Sequence, residues 1–181
     1  MMVKTIFSGF GGQGVLMMGY ALAHGAMSAG YHVTFLPAYG AEVRGGTANC
    51  TVAVSDDEIA SPIASKPDNI VVLNAPSLST FQNRLAPGGA LFLNSSIIAV
   101  EPSRHDVRIF KIPSSEMAEK LGNPRTANTV MMGAFLKITG LVPPDIYLSS
   151  METVMGSKKK SVIEINHKAF AAGYEFLKIA E

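Results

Sequence analysis

Lys4-Thr5-Ile6-Phe7-Ser8-Gly9-Phe10-Gly11-Gly12-Gln13-Gly14-Val15-Leu16-Met17-Met18 is the stretch on which the fold turns. A short β-prone run, Lys4 to Ser8, stops at glycine. From Gly14 to Ala29 the apolar residues Val15, Leu16, Met18, Ala21, Leu22, Gly25 and Ala26 then recur at helical spacing, and Gly30 closes the helix. Tyr31 to Leu36 starts a second strand. Strand, glycine turn, helix and strand within 36 residues read as a βαβ opening, whose parallel crossover is expected to be right-handed. Outward from there, Pro37 to Gly46 reads as a loop and Thr47 to Val54 as an alternating strand with Ala48, Cys50, Val52 and Val54 on one face. Further strands are expected at Ile70 to Leu73, Ala90 to Leu93 and Val107 to Ile112. A helix is expected from Pro76 to Leu85, ended by Ala86-Pro87-Gly88-Gly89. The last third reads as helices: Ser114 to Leu121, Thr126 to Thr139, Asp145 to Met155 and Ser161 to Ile179, with Ser161 and Glu164 as a capping box. The expected fold is one three-layer α/β domain over residues 1–181, with a mostly parallel sheet and a helical C-terminal part.

Composition narrows the function classes. With 48% hydrophobic and 16% charged residues among 181, the chain is a packed domain, and its low charge leaves surface to face a partner. A net charge of +1 gives no field favouring nucleic acid or an anionic membrane. No apolar run approaches the ~20 residues of a membrane span. The N-terminus lacks a signal peptide's apolar stretch and cleavage site. The sequence reads as cytoplasmic. Its one cysteine, Cys50, allows no intrachain disulfide and no Cys cluster, and His24, His32, His105 and His167 show no metal-ligand spacing. Any redox metal must therefore sit on another chain, and no metal ligand is assigned here.

Two loops can carry chemistry. Gly9, Gly11 and Gly14 satisfy G-x-G-x-x-G between the first strand and first helix, where glycines allow a tight turn and the helix N-terminus favours an anion. A nicotinamide site would need an acid ending the second strand. Thr34-Phe35-Leu36-Pro37 supplies none before Glu42. The loop is then a turn that packs the helix, or a seat for another phosphate-bearing ligand or a partner chain. Pro37 to Thr47 is the second loop, at the same rim if the sheet is parallel. Arg44 followed by Gly45 and Gly46 suits an anion, with Glu42 able to orient the guanidinium. Lys158-Lys159-Lys160 reads as a solvated linker. Met17-Met18, Met27 and Met131-Met132 read as core filling, and Cys50 as a small buried hydrophobe. Ser8 has no His or acid for a triad, so no catalytic residue is assigned.

Together, Gly9-Phe10-Gly11-Gly12-Gln13-Gly14 and Tyr39-Gly40-Ala41-Glu42-Val43-Arg44-Gly45-Gly46 resemble the γ subunit of the 2-oxoacid:ferredoxin oxidoreductases, the pyruvate, 2-oxoglutarate and 2-ketoisovalerate enzymes. The likeness extends through Leu85 to Gly89, Asn128 to Gly140, and Val162 to Asn166 with Ala169, Phe170 and Gly173. The resemblance implies a non-autonomous subunit of an anaerobic oxidoreductase that converts a 2-oxoacid to an acyl-CoA and passes electrons to ferredoxin. It places thiamine diphosphate, Mg²⁺ and [4Fe–4S] clusters on α, β and δ-type partner subunits, with none held by this chain. It associates the γ chain with closing the site and with coenzyme A, and so marks Gly9, Gly11, Gly12, Gln13, Gly14, Glu42, Arg44, Gly45 and Gly46 as cofactor-binding. An apolar face is expected to be buried in the complex; isolated, the chain can dimerise through it. Two other readings remain: a stand-alone nucleotide- or phosphate-binding α/β protein, and the indolepyruvate:ferredoxin oxidoreductase β chain. The oxoacid is not specified by these residues.

Overall fold

The computed structural model describes residues 1–39 and 47–177. Six strands, β1 (Met2–Phe10), β2 (His32–Tyr39), β3 (Thr47–Ser55), β4 (Asn69–Val72), β5 (Ala90–Asn94) and β6 (Arg108–Ile112), form one sheet in the order β2-β3-β1-β4-β5-β6. The pairs β1–β4, β4–β5 and β5–β6 are parallel, and β3 runs antiparallel to both β1 and β2. The sheet is mostly parallel, but the opening differs from the expected simple unit: β1 and β2 are not neighbours, because β3 lies between them. Burial explains the insertion. Thr51 to Ser55 are buried on both faces of β3, which only an interior strand permits, whereas β2 is half exposed. β2 also runs through Pro37 to Tyr39, where the sequence suggests a loop. Pro37 is tolerated because β2 is an edge strand, with a neighbouring strand on one side only among the described residues.

Helices flank the sheet as α1 (Val15–Ser28), α2 (Ala75–Phe81), α3 (Ser114–Lys120), α4 (Ala127–Thr139), α5 (Pro144–Met155) and α6 (Lys160–Phe176). Phe7, Val71 and Phe92 face a core completed by α1, α3, α4, α5 and α6; Phe135 of α4 meets Phe7 and Phe92 edge-on at 5.6 and 5.3 Å. Ile6, Ile70, Val72, Leu91 and Leu93 point the other way, onto Leu78 and Phe81 of α2 and onto Ala64 and Ile98. Ser8 is part of this packing, donating to or accepting from the buried Ser77 hydroxyl at 2.8 Å.

Two local expectations need correction. α6 starts at Lys160 with Lys159 as its N-cap and no side-chain cap, because the amides of Val162 and Ile163 already bond the Lys159 carbonyl. Ser161 and Glu164 therefore make no capping box. Met18, Met131 and Met132 are buried, but Met17 and Met27 are 40% and 63% exposed and fill no core. Cys50 is buried as expected. A Cβ on Gly19 would collide with its Sγ, so that glycine lets α1 settle on β3, and burial pushes the thiol up to about 12.

Candidate functional site: the rim between β1 and β4

β1 and β4 are adjacent and parallel, yet their following helices leave to opposite faces, α1 to the larger core and α2 to the smaller. This is the topological switch point, where open α/β sheets form a crevice at the carboxyl ends of the strands. The glycine loop, Gly9 to Gly14, forms one wall of it. Leu73-Asn74 forms the other.

Gln13 spans that crevice. Its Oε1 accepts from the Phe10 amide at 2.6 Å and from Asn74 Nδ2 at 3.4 Å, while its Nε2 donates to the Leu73 carbonyl at 3.2 Å. The amide is thus spent on holding the two loops together. Gly9 makes this closure fit, since a Cβ there would meet Gln13 Oε1 at 2.6 Å and Leu73 Cβ at 3.1 Å. Gly14 caps α1 in the left-handed conformation, φ 76°, and a Cβ on it would collide with Asn128 Nδ2. Gly12, φ 97°, has open space where a side chain would stand. Gly11 and Gly12 are exposed, so their backbone is what the loop presents to the outside.

Replacing Gln13 by Ala is expected to cost about 1 kcal/mol, chiefly for leaving the part-buried Leu73 carbonyl without its donor, since the Phe10 amide is exposed and can turn to water. Chemical denaturation would show it, and amide exchange at Phe10 should accelerate in parallel. An unchanged stability would mean water substitutes for the side chain.

The loop opens onto a cleft of about 230 Å³ lined by Gly12, Gln13, Asn94, Ser115, Arg125 and Asn128 among others, with no carboxylate in its lining. Asn94 is itself buried and committed: its Oδ1 accepts from the Ser96 amide, and its Nδ2 donates to Ser115 Oγ at 2.8 Å. What faces the cleft is donor-rich: exposed glycine backbone, the Asn128 carboxamide, whose Nδ2 also reaches the Gly14 carbonyl at 3.5 Å, and the exposed Arg125 guanidinium, which pairs with no carboxylate among the described residues. That set fits an anion such as a phosphate. Arg125 and Asn128 also line a second cleft of about 400 Å³, floored by Met18, Tyr147 and Met151.

The glycine loop lies at the rim where its sequence pattern puts it, whereas Asn74, Asn94, Arg125 and Asn128 belong to no motif. A signal for two of them existed: Leu73-Asn74 and Leu93-Asn94 each end or follow a buried parallel strand. Glu42, Arg44, Gly45 and Gly46 lie outside the described residues. Their described neighbours sit at the same rim, for Tyr39 pairs with Ala48 and Thr47 pairs with Phe10. The Leu85 to Gly89 turn belongs to the opposite rim, where a Cβ on Gly89 would meet the Ala86 and Asp68 carbonyls at 2.8 Å.

Residues 4–176 match the family described as pyruvate ferredoxin/flavodoxin oxidoreductase. The chain belongs to that family. It is 40% identical over 176 residues to ketoisovalerate oxidoreductase subunit VorA of Methanothermobacter thermautotrophicus, an alignment covering 96% of this chain and 36% of VorA. The chain therefore spans about a third of the length of that curated relative. Among solved structures, the γ subunit of a keto/oxoacid ferredoxin oxidoreductase from Geobacter sulfurreducens shares the fold at TM-score 0.85 and 24% identity, covering 97% of this chain and 95% of the other. So does the 2-oxoglutarate:ferredoxin oxidoreductase of Magnetococcus marinus with 2-oxoglutarate, coenzyme A and succinyl-CoA bound, at TM-score 0.89 and 23% identity over 99% of this chain and 32% of the other. The oxidoreductase family thus places the glycine loop on a unit that occurs both as a chain of its own size and within a longer one. Among the described residues no helix is long and apolar enough to cross a membrane.

Proposed function

We propose that this chain is the γ-type domain, residues 1–181, of a cytoplasmic multi-subunit 2-oxoacid:ferredoxin oxidoreductase. The enzyme converts a 2-oxoacid and coenzyme A to an acyl-CoA, carbon dioxide and reduced ferredoxin. The observation that carries the reading is the family match over residues 4–176 together with the donor-rich, carboxylate-free cleft beside Gly12. Gly11, Gly12 and Gly14 offer backbone to a phosphate of coenzyme A, with Asn128, Arg125 and Arg44 as side-chain donors. Gln13 and Gly9 keep the loop in shape. Glu42, Gly45 and Gly46 are assigned to the same site on the sequence pattern around Arg44. The single Cys50 cannot supply the ligands of an iron–sulfur cluster, and the sequence has no Gly-Asp-Gly diphosphate–Mg²⁺ signature, so the clusters, thiamine diphosphate and Mg²⁺ are assigned to α, β and δ-type partners.

The test is reconstitution. The pure chain is expected to reduce no dye with any 2-oxoacid and coenzyme A. The complex co-purified from the native host is expected to do so with at least one of pyruvate, 2-oxoglutarate and ketoisovalerate. Oxoacid-dependent reduction by the isolated chain, or a complex indifferent to its removal, would overturn the assignment. A complex active only with indolepyruvate would select the indolepyruvate enzyme instead.

A further inference from the structure

Between Lys4 and Glu42 the chain carries no Asp, Glu, Lys or Arg: positions 5 to 41, 37 residues. With 15 basic and 14 acidic residues in 181, about six charges would be expected in a stretch that long. Burial accounts for β1, most of which is inside the core. It does not account for α1, which exposes Met17, Tyr20 at 51% and Met27. Residues spaced by three and by seven fall on one helix face, so these three side chains form one exposed stripe along α1. Tyr20 leans onto Phe35 of β2, ring centroids 5.7 Å apart, and so carries the stripe to the edge strand. β2 exposes His32, Leu36 and Ala38 without one charge to guard its open side. Edge strands that face water are normally blunted by charged residues; here Pro37 is the one blocking residue.

Such a face costs solubility unless it is covered. In VorA and in the Magnetococcus chain this unit makes up 36% and 32% of a longer polypeptide, so a larger neighbour travels with it. We propose that the α1–β2 face is the docking surface for that neighbour, the part of the enzyme corresponding to the rest of VorA. This rests on the subunit reading above. The neighbour's matching surface is then apolar and uncharged, and the contact is held by burial rather than by ion pairs. Because α1 begins at the glycine loop, the partner would seat directly beside the rim cleft.

The decisive experiment co-expresses this chain with the polypeptide from the same host that corresponds to the remainder of VorA. Tyr20→Glu with Met27→Glu, and Tyr20→Lys with Met27→Lys, are compared with wild type after circular dichroism shows that each variant is folded. Both positions are exposed, and Glu and Lys are good helix formers, so folding should survive. Wild type is expected to hold its partner in high salt, and both signs of charge to weaken the complex about a hundredfold or more. Full assembly by either folded variant overturns the proposal. So does a self-association of the pure chain that the variants abolish while partner binding stays, because the face would then pair with a second copy. A wild-type chain that joins no such polypeptide overturns the subunit reading itself, and this surface with it.

Discussion

Gly173→Ala is expected to destabilise the protein by about 3 kcal/mol or more, the upper end of what overpacking costs. α4 and α6 meet backbone to backbone. A Cβ on Gly173 would collide with the Val130 carbonyl, and one on Gly133 with the Phe170 carbonyl, so neither glycine can be replaced unless the helices separate. Separation would loosen the stacking of Phe170 on Tyr147, 5.3 Å between centroids, and stretch the buried Thr129–Asn166 hydrogen bond of 2.7 Å. At about 2–4 °C per kcal/mol for a chain this size, the midpoint of thermal unfolding should fall by roughly 6–12 °C. Gly30→Ala is the control. Gly30 has φ 91° but nothing within 4 Å of its missing Cβ, so only backbone strain of about 1–2 kcal/mol is at stake. Equal midpoint shifts for the two variants would show that the helix pair yields easily and that the close contact carries no special stability.

That contrast also marks what a sequence discloses. Gly30 and Gly140 are legible as helix stops, because a glycine after a periodic apolar run has a local meaning, and both have positive φ at helix ends. Gly133 and Gly173 lie inside helices, and their meaning is non-local. Nothing near them in sequence says that another backbone will arrive there. The sheet divides in the same way. Existence and order of the strands follow from apolar runs and turn residues, but the insertion of β3 between β1 and β2 is a pairing decision. The clue was the double-sided burial that β3 demands, set against Pro37 in β2, and a proline read as a loop signal concealed an edge strand.

At the rim, the glycine pattern located the loop because its physics is local: positive φ at Gly12 and Gly14, then a helix N-terminus. Gln13 looked like one more loop residue facing a ligand. The structure instead shows its carboxamide bonded to Phe10, Leu73 and Asn74, and the last two come 60 and 61 positions later. Arg125 and Asn128 arrive from the α4 end of the chain, and only the tertiary fold brings them against a loop more than a hundred residues earlier. Charge that assembles across such distances leaves no motif.

The remaining large effect concerns that assembled charge. Arg44→Ala is expected to raise the reconstituted enzyme's KM for coenzyme A by about ten- to a hundredfold, the loss of one charge-assisted hydrogen bond of roughly 1.5–3 kcal/mol. The KM for the oxoacid should move much less, because Arg44 is proposed to meet coenzyme A and nothing in these loops specifies the oxoacid. Phe10, at the mouth of the glycine loop, pairs with Thr47, and Tyr39 pairs with Ala48, so the segment carrying Arg44 starts and ends at the rim that holds Gly12. Arg125→Ala is expected to act in the same direction, since Arg125 lines the same carboxylate-free cleft. Gly12→Val should raise both constants. A β-branched residue resists the φ of 97° found there, and its side chain would occupy the open space through which a ligand reaches the loop backbone. Initial-rate kinetics on complexes of confirmed subunit content decide the matter. A larger KM for coenzyme A alone in the two arginine variants places a phosphate between them. An unchanged coenzyme A dependence with intact assembly would make Arg44 a structural or subunit-contact residue, and would leave the glycine loop to pack α1 rather than to bind.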